Sequence, residues 1–168
     1  MKQNNFYKQL KIGNEKEKYI SEILNLCNIK TVQNNEEEVT DIDLMLPLHK
    51  IVMDVKFINT PFNNSQNYVD IPPQDCIPIN VSHVNNYYQK QLTSGNEAWV
   101  CFLIKFDKYN INEIKFIPVN YLKYLIDNNG KIRNKKLNFN RNDCYDMKYF
   151  LNYCDKKIQQ SKIKYCFK

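Results

Sequence analysis

Glycine is scarce, with only three in 168 residues, and no stretch of the chain approaches the roughly 20 consecutive apolar residues that a bilayer-crossing helix requires. The first scarcity excludes a collagen-like repeat. The second excludes a membrane-spanning helix, and the opening Met1-Lys2-Gln3-Asn4-Asn5 leads into no apolar segment long enough for a signal peptide. A soluble, intracellular, cytoplasmic protein is therefore expected. There are two histidines, His49 and His83, and neither stands with a Ser or Cys in a triad-like pattern. The six cysteines form no C-x-x-C pair, which argues against a zinc site or a disulfide framework and for reduced thiols.

What is present is enough to fold. Hydrophobic residues make up 43% and charged residues 25%, in a length typical of one domain. The expectation is a single domain over 1–168, with a core at about 13–126 and a basic C-terminal extension at 127–168. The net charge of +6 makes a polyanion a plausible partner, because Lys and Arg beside phosphates gain Coulomb energy and release counterions.

Along the chain, Glu17, Ile20, Leu24 and Cys27 recur at helical spacing, which predicts a helix over about 14–27 with Gly13 at its start. Residues 29–32 suit a short strand. Segments 40–46 and 51–57 then alternate with period two, which predicts paired strands with Ile42, Leu44, Leu46, Ile51, Met53, Val55 and Phe57 on one face. Segment 58–79, rich in Asn and Pro, reads as a long loop or a sheet extension. Ser82 to Leu92 reads as a helix with Val84, Tyr88 and Leu92 inward, ended by Gly95. Strands at 98–106 and 114–119 follow, then short helices near 121–126 and 146–154.

The face opposite the apolar one carries Asp41, Asp43, Asp54 and Lys56. Asp54 and Lys56 are two apart on an apolar strand that reads as central, where a carboxylate is costly unless it is paired or metal-bound. Hydrolysis of a phosphodiester needs such a set. Converging carboxylates hold Mg²⁺, which prefers oxygen ligands, and a nearby Lys orients or deprotonates the attacking water and offsets phosphate charge. The inward stripe of the first helix adds Glu17.

The order Gly13-Asn14-Glu15-Lys16-Glu17, Thr40-Asp41-Ile42-Asp43, Asp54-Val55-Lys56 resembles the PD-(D/E)xK nuclease superfamily, and most closely its Holliday-junction resolvases and small restriction-type endonucleases. Two departures stand out: Thr40 occupies the place of the Pro that names the family, and Asp54 replaces the commoner Glu. The resemblance implies an α/β restriction-endonuclease-like fold, a mixed central sheet flanked by helices. It implies a Mg²⁺-dependent endodeoxyribonuclease, with Mn²⁺ as a substitute. Glu17, Asp41, Asp54 and Lys56 would be its catalytic residues, and Asp41, Asp43 and Asp54 its metal ligands. DNA is the implied partner, and the habit of the family implies a homodimer. Gln89 and Lys90, on the helix over 82–92, are candidate substrate contacts. Tyr87 and Tyr88 with Lys90, and the group Lys131, Arg133, Lys135, Lys136 and Arg141, are candidate contacts for a nucleic-acid backbone.

Hairpin register is left open. A two-residue turn at Pro47-Leu48 would set Asp41 opposite Asp54, whereas a four-residue connection over 47–50 would set Asp43 there; resolvase-like spacing favours Asp41. The rival functions are a sequence-specific restriction or homing endonuclease and a non-catalytic DNA-binding protein that keeps the fold.

Overall fold

Strand β3 (Ile51–Ile58) follows β1 (Val32–Gln33) and β2 (Leu44–Leu46) and is the structural centre of the computed structural model, which describes residues 2–33, 42–128 and 130–166. Its sequence is apolar on both faces apart from Asp54 and Lys56, as a strand covered on both sides demands. It pairs antiparallel with β2 and parallel with β5 (Glu97–Phe106). β6 (Ile111–Pro118) completes a mixed sheet in the order β1-β2-β3-β5-β6.

Alternation sorts the side chains of β3 between two cores. Ile51, Met53 and Val55 join Leu44, Leu46, Trp99 and Cys101 beneath Ile20 and Leu24 of helix α1 (Lys2–Leu26). Phe150 and Cys154 of the C-terminal helix over Met147–Cys166 close the same layer. Val52 faces the other way, among Val100, Phe102 and Ile104. The seven-residue apolar face expected from the sequence is therefore five residues in practice. Ile42 packs on the opposite core with Val52, and Phe57, at the far end of β3, is exposed beneath the Lys16 ammonium. The first helix also runs straight through Gly13 instead of starting there.

The parallel β3–β5 pair requires a crossover, and residues 59–96 supply it. They hold the short helix α2 (Ser65–Val69), strand β4 (Cys76–Asn80) and helix α3 (Val81–Ser94). β4 falls at the end of the segment read as a long loop or a sheet extension, and its Pro78 is tolerated at the edge of its sheet. It pairs with β8 (Lys136–Asn140), which pairs in turn with β7 (Lys131–Arg133), giving a second sheet β4-β8-β7. Ile77, Ile79, Leu137 and Phe139 from this sheet, with Val84 of α3 and Leu122 of helix α4 (Val119–Asp127), bury the second core. Helix α5 is the C-terminal helix named above, so residues beyond 127 contribute to both cores.

Two glycines are fixed by geometry. Gly95 ends α3 at φ 69°, with its N–H on the Gln91 carbonyl. Gly130 donates to the Leu125 carbonyl at 2.6 Å, and a Cβ there would run into that carbonyl and lie 2.7 Å from Leu137 Cδ1. Cys27, Cys76, Cys101, Cys144 and Cys154 are free thiols. No helix among the described residues is long and apolar enough to cross a membrane.

Candidate active site

The period of two in β3 puts Asp54 and Lys56 on one face, and Lys56 Nζ donates to Asp54 Oδ1 at 2.8 Å. Asp54 is only 3% exposed, and its Oδ2 is buried without a hydrogen-bond partner. Burial raises the pKa of Asp54. The charge and hydrogen bond of Lys56, then Tyr87 and His83 of α3, pull it back without cancelling the rise.

The strand opposite supplies Asp43. Leu44 pairs with Met53 and Leu46 with Ile51, which is the register of a four-residue connection over 47–50. Continued by one residue that register would bring Asp43 to Asp54, but the regular pairing ends at Leu44 and Met53; Asp41 lies outside the described residues. The hairpin ladder distorts here. Asp43 N–H donates to the Met53 carbonyl at 3.0 Å, and its carboxylate Oδ2 receives the Val55 N–H at 2.6 Å. The Asp43 carboxylate thus takes the place of a backbone acceptor beside β3, and the alternation expected at Ile42 ends at this point. The Asp43 pKa is pushed up to about 7, by burial first and then by the Asp54 charge; Glu17 adds to the rise, while the Val55 hydrogen bond and Lys56 oppose it.

Glu17 is half-buried on α1, near enough for its charge to act on Asp43. Its Oε1 lies 3.8 Å from where a Cβ on Gly13 would stand, so the glycine leaves open space beside the carboxylate. Glu17, Asp54 and Lys56 therefore all act on the Asp43 carboxyl. Among the described residues no three His, Cys, Asp or Glu side chains are close enough to share one ion. A hexahydrate-loving cation such as Mg²⁺ needs only one or two carboxylates besides substrate oxygens and water, so the Asp43–Asp54 pair fits it. Two carboxyls held above their ordinary range, one of them with an unpartnered buried oxygen, also carry an electrostatic cost that a cation would offset.

Helix α3 faces this pair differently from the sequence reading. Tyr87 is 2% exposed and lies beside Asp54, so it is no surface base contact. Leu92, read as inward, is exposed, and Gln91 turns in instead because its amide is satisfied there: Oε1 accepts the Ala98 N–H at 2.9 Å and Nε2 donates to Asn120 Oδ1 at 2.7 Å. His83, Tyr87 and Lys90 fall on one helical stripe at i, i+4 and i+7, while Gln89 is exposed well off that stripe. Lys90 is thus placed on the side of the acidic pair and Gln89 is not. The i, i+4 pairing of His83 with Tyr87 was the available signal for this third wall of the site.

No family model matches this sequence, and no curated protein matches it. Solved structures do. Hjc, a Holliday junction resolvase from the archaeal hyperthermophile Archaeoglobus fulgidus, is similar with a TM-score of 0.57 at 10% sequence identity. The match covers 83% of this chain and 95% of that one. At such identity the likeness is one of fold: a single mixed α/β domain with a central sheet flanked by helices, as the sequence reading expected.

Proposed function

We propose that this chain is a divalent-metal-dependent endodeoxyribonuclease acting on branched DNA such as a four-way junction. One observation carries the reading: buried Asp54 is bonded by Lys56 two residues along β3, and the Asp43 carboxylate is bonded to the N–H of Val55 between them. The resolvase-like fold supports it.

Asp43 and Asp54 are the side chains that would hold Mg²⁺, or Mn²⁺ in its place, with Asp41 as a further ligand. When bound, the ion supplies Lewis-acid stabilisation of the phosphate and a water of lowered pKa. Lys56, tied to Asp54 Oδ1, directs its remaining ammonium hydrogens to the attacking water and sets positive charge where the phosphorane-like charge develops. Glu17 orients a water from the α1 side and accepts its hydrogen bond. Lys90 draws a phosphate along α3, with Gln89 touching the same strand farther out. Two copies acting together would place two such sites on the two strands of a junction.

The test is cleavage of supercoiled plasmid, single-stranded DNA and a four-way junction with Mg²⁺, comparing wild type with Asp54→Ala and Lys56→Ala. Metal-dependent junction cutting that both substitutions abolish is the expected result. Absence of metal-dependent cutting on every substrate would overturn the enzyme reading, and wild-type DNA binding by the variants would then identify a binding protein that keeps the fold.

A further inference from the structure

Five cations near the C-terminal side of the sequence fall into two classes once the contacts are known. Arg141 is consumed by structure: Nε donates to Asp75 Oδ1 at 2.9 Å, and the guanidinium also bonds Glu113. The other four, Lys131, Arg133, Lys135 and Lys136, sit within six residues on the β7–β8 hairpin. Among the described residues no carboxylate is within ion-pair distance of any of them.

The hairpin is built to hold these charges still. Asn134 and Lys135 both take positive φ, 49° and 62°, the paired left-handed conformation of a tight two-residue turn. Arg133 and Lys136 are directly opposed across the strands. Like charges in that position repel by up to about 1 kcal/mol, and among the described residues no acid is paired with either. Lys131 shares their face at the next register position, while Leu137 on the opposite face is fully buried in the core. The Arg133 guanidinium is held flat 3.2 Å from the centre of the half-exposed Tyr68 ring, which in turn stacks on Phe62. Buried Asn138 locks the base of the hairpin by donating to the Lys131 and Lys136 carbonyls.

The hairpin is also joined to the acidic pair. The Val81 N–H, at the start of α3, donates to the Lys135 carbonyl at 2.9 Å, and Asn80 pairs with Lys136. Two residues on, His83 acts on Asp54. The basic hairpin is thus fastened to the start of α3, the helix that carries His83 and Tyr87 to Asp54.

We propose that the β7–β8 hairpin, with Tyr68, is a docking surface for the phosphate backbone of duplex DNA, positioning an arm of the substrate beside Asp54. The inference rests on the nuclease reading for its purpose but not for its test. Phosphates neutralise the Arg133–Lys136 repulsion, and each contact releases counterions, giving affinity a steep dependence on salt. The surface reads backbone and not base sequence, because all its donors are point charges or a ring-bound guanidinium with outward edges.

The test is fluorescence anisotropy with a labelled DNA duplex, in EDTA and in an Asp54→Ala background so that no cutting occurs, from about 50 to 200 mM salt. Arg133→Gln/Lys136→Gln is compared with Lys148→Gln/Lys156→Gln, which removes the same charge from exposed positions on α5. Lys135→Asn suits the left-handed turn and leaves the Tyr68 stack intact, which guards against a misfolded hairpin. The hairpin double variant should flatten the slope of log K against log salt by about 1.8, two contacts at about 0.9 each, and Lys135→Asn by about 0.9, with the α5 control near wild type. Equal slopes for the hairpin and α5 variants would overturn the proposal. A protein that binds through the hairpin yet never cuts would remove the nuclease reading alone. An active nuclease whose salt slope ignores the hairpin would remove this one alone.

Discussion

The Asp43 carboxylate is held by the N–H of Val55, the residue after Asp54, while Asp54 itself is held by the Lys56 ammonium. Both are held above the ordinary carboxylate range. Without a cation, their proximity is a standing cost to the fold.

Asp43→Asn relieves that cost, since an amide oxygen still accepts the Val55 N–H while the charge beside Asp54 is gone. The metal-free variant should be more stable than wild type by about 1 kcal/mol, a rise of roughly 2–4 °C in Tm, and should lose cleavage by about 10²-fold or more. Calorimetry in EDTA, alongside junction cleavage, decides it; a variant that is both less stable and fully active contradicts the site.

Lys56→Gln keeps a hydrogen-bond donor for Asp54 Oδ1 and removes only the positive charge. With Lys56 serving the attacking water, kcat should fall by about 10²–10⁴ while KM changes little. A KM effect with normal kcat would reassign Lys56 to substrate binding.

Gly130→Ala tests a purely structural claim. The added methyl meets the Leu125 carbonyl and Leu137 Cδ1, and would break the turn joining α4 to the hairpin. Destabilisation of about 1–3 kcal/mol is expected by urea titration, with wild-type chemistry in whatever fraction stays folded. An unchanged midpoint would mean that the turn opens freely.

Glu113 gives the protein an acid-sensitive brace. Burial raises its pKa, but the hydrogen bond and charge of Arg141, with Lys115, outweigh that and hold it below its ordinary 4.5. The folded state therefore binds this proton less readily than the unfolded chain. The stability it contributes is complete above about pH 4.5 and is lost as pH falls through the lowered value. Glu113→Gln should melt earlier at neutral pH and lose less of its remaining stability on acidification. Parallel Tm-against-pH curves for the two proteins would remove the linkage.

The thiols should differ widely in reactivity. Burial pushes Cys144 and Cys154 up to about 12 and Cys101 well above its usual value, so little thiolate forms at neutral pH. Half-buried Cys27 should alkylate long before these three in the native protein, as read by peptide mass spectrometry. Early labelling of Cys101 would mean that the sheet opens.

Strands β3 and β5 were legible because an apolar run of strand length has few alternatives, and Asp54 with Lys56 stood out as charges within such a run. The choice between Asp41 and Asp43 was not legible, since both keep the same face and only the length of the connection at Pro47 separates them. For β4 the loop and sheet-extension readings stayed open because of Pro78, whose missing N–H matters little at a sheet edge. On α3 Val84 and Tyr88 were read correctly as inward, and Leu92 was misread because Gln91, polar by composition, turns in by virtue of two specific partners. Lys131 to Lys136 read only as part of a basic extension, because nothing local to that segment announces that β4, about 60 residues earlier, pairs with β8.

The crossover between β3 and β5 sets an order of assembly during synthesis. A chain that has emerged only as far as Ser94 has the strand bearing Asp54 paired on one side, with its other edge open to water, and cannot hold that carboxylate at its final depth. Burial of the acidic pair waits for β5, and the hairpin beside it waits for residue 140. The buried acidic pair and the basic hairpin are therefore late products of assembly, made only after the crossover has closed.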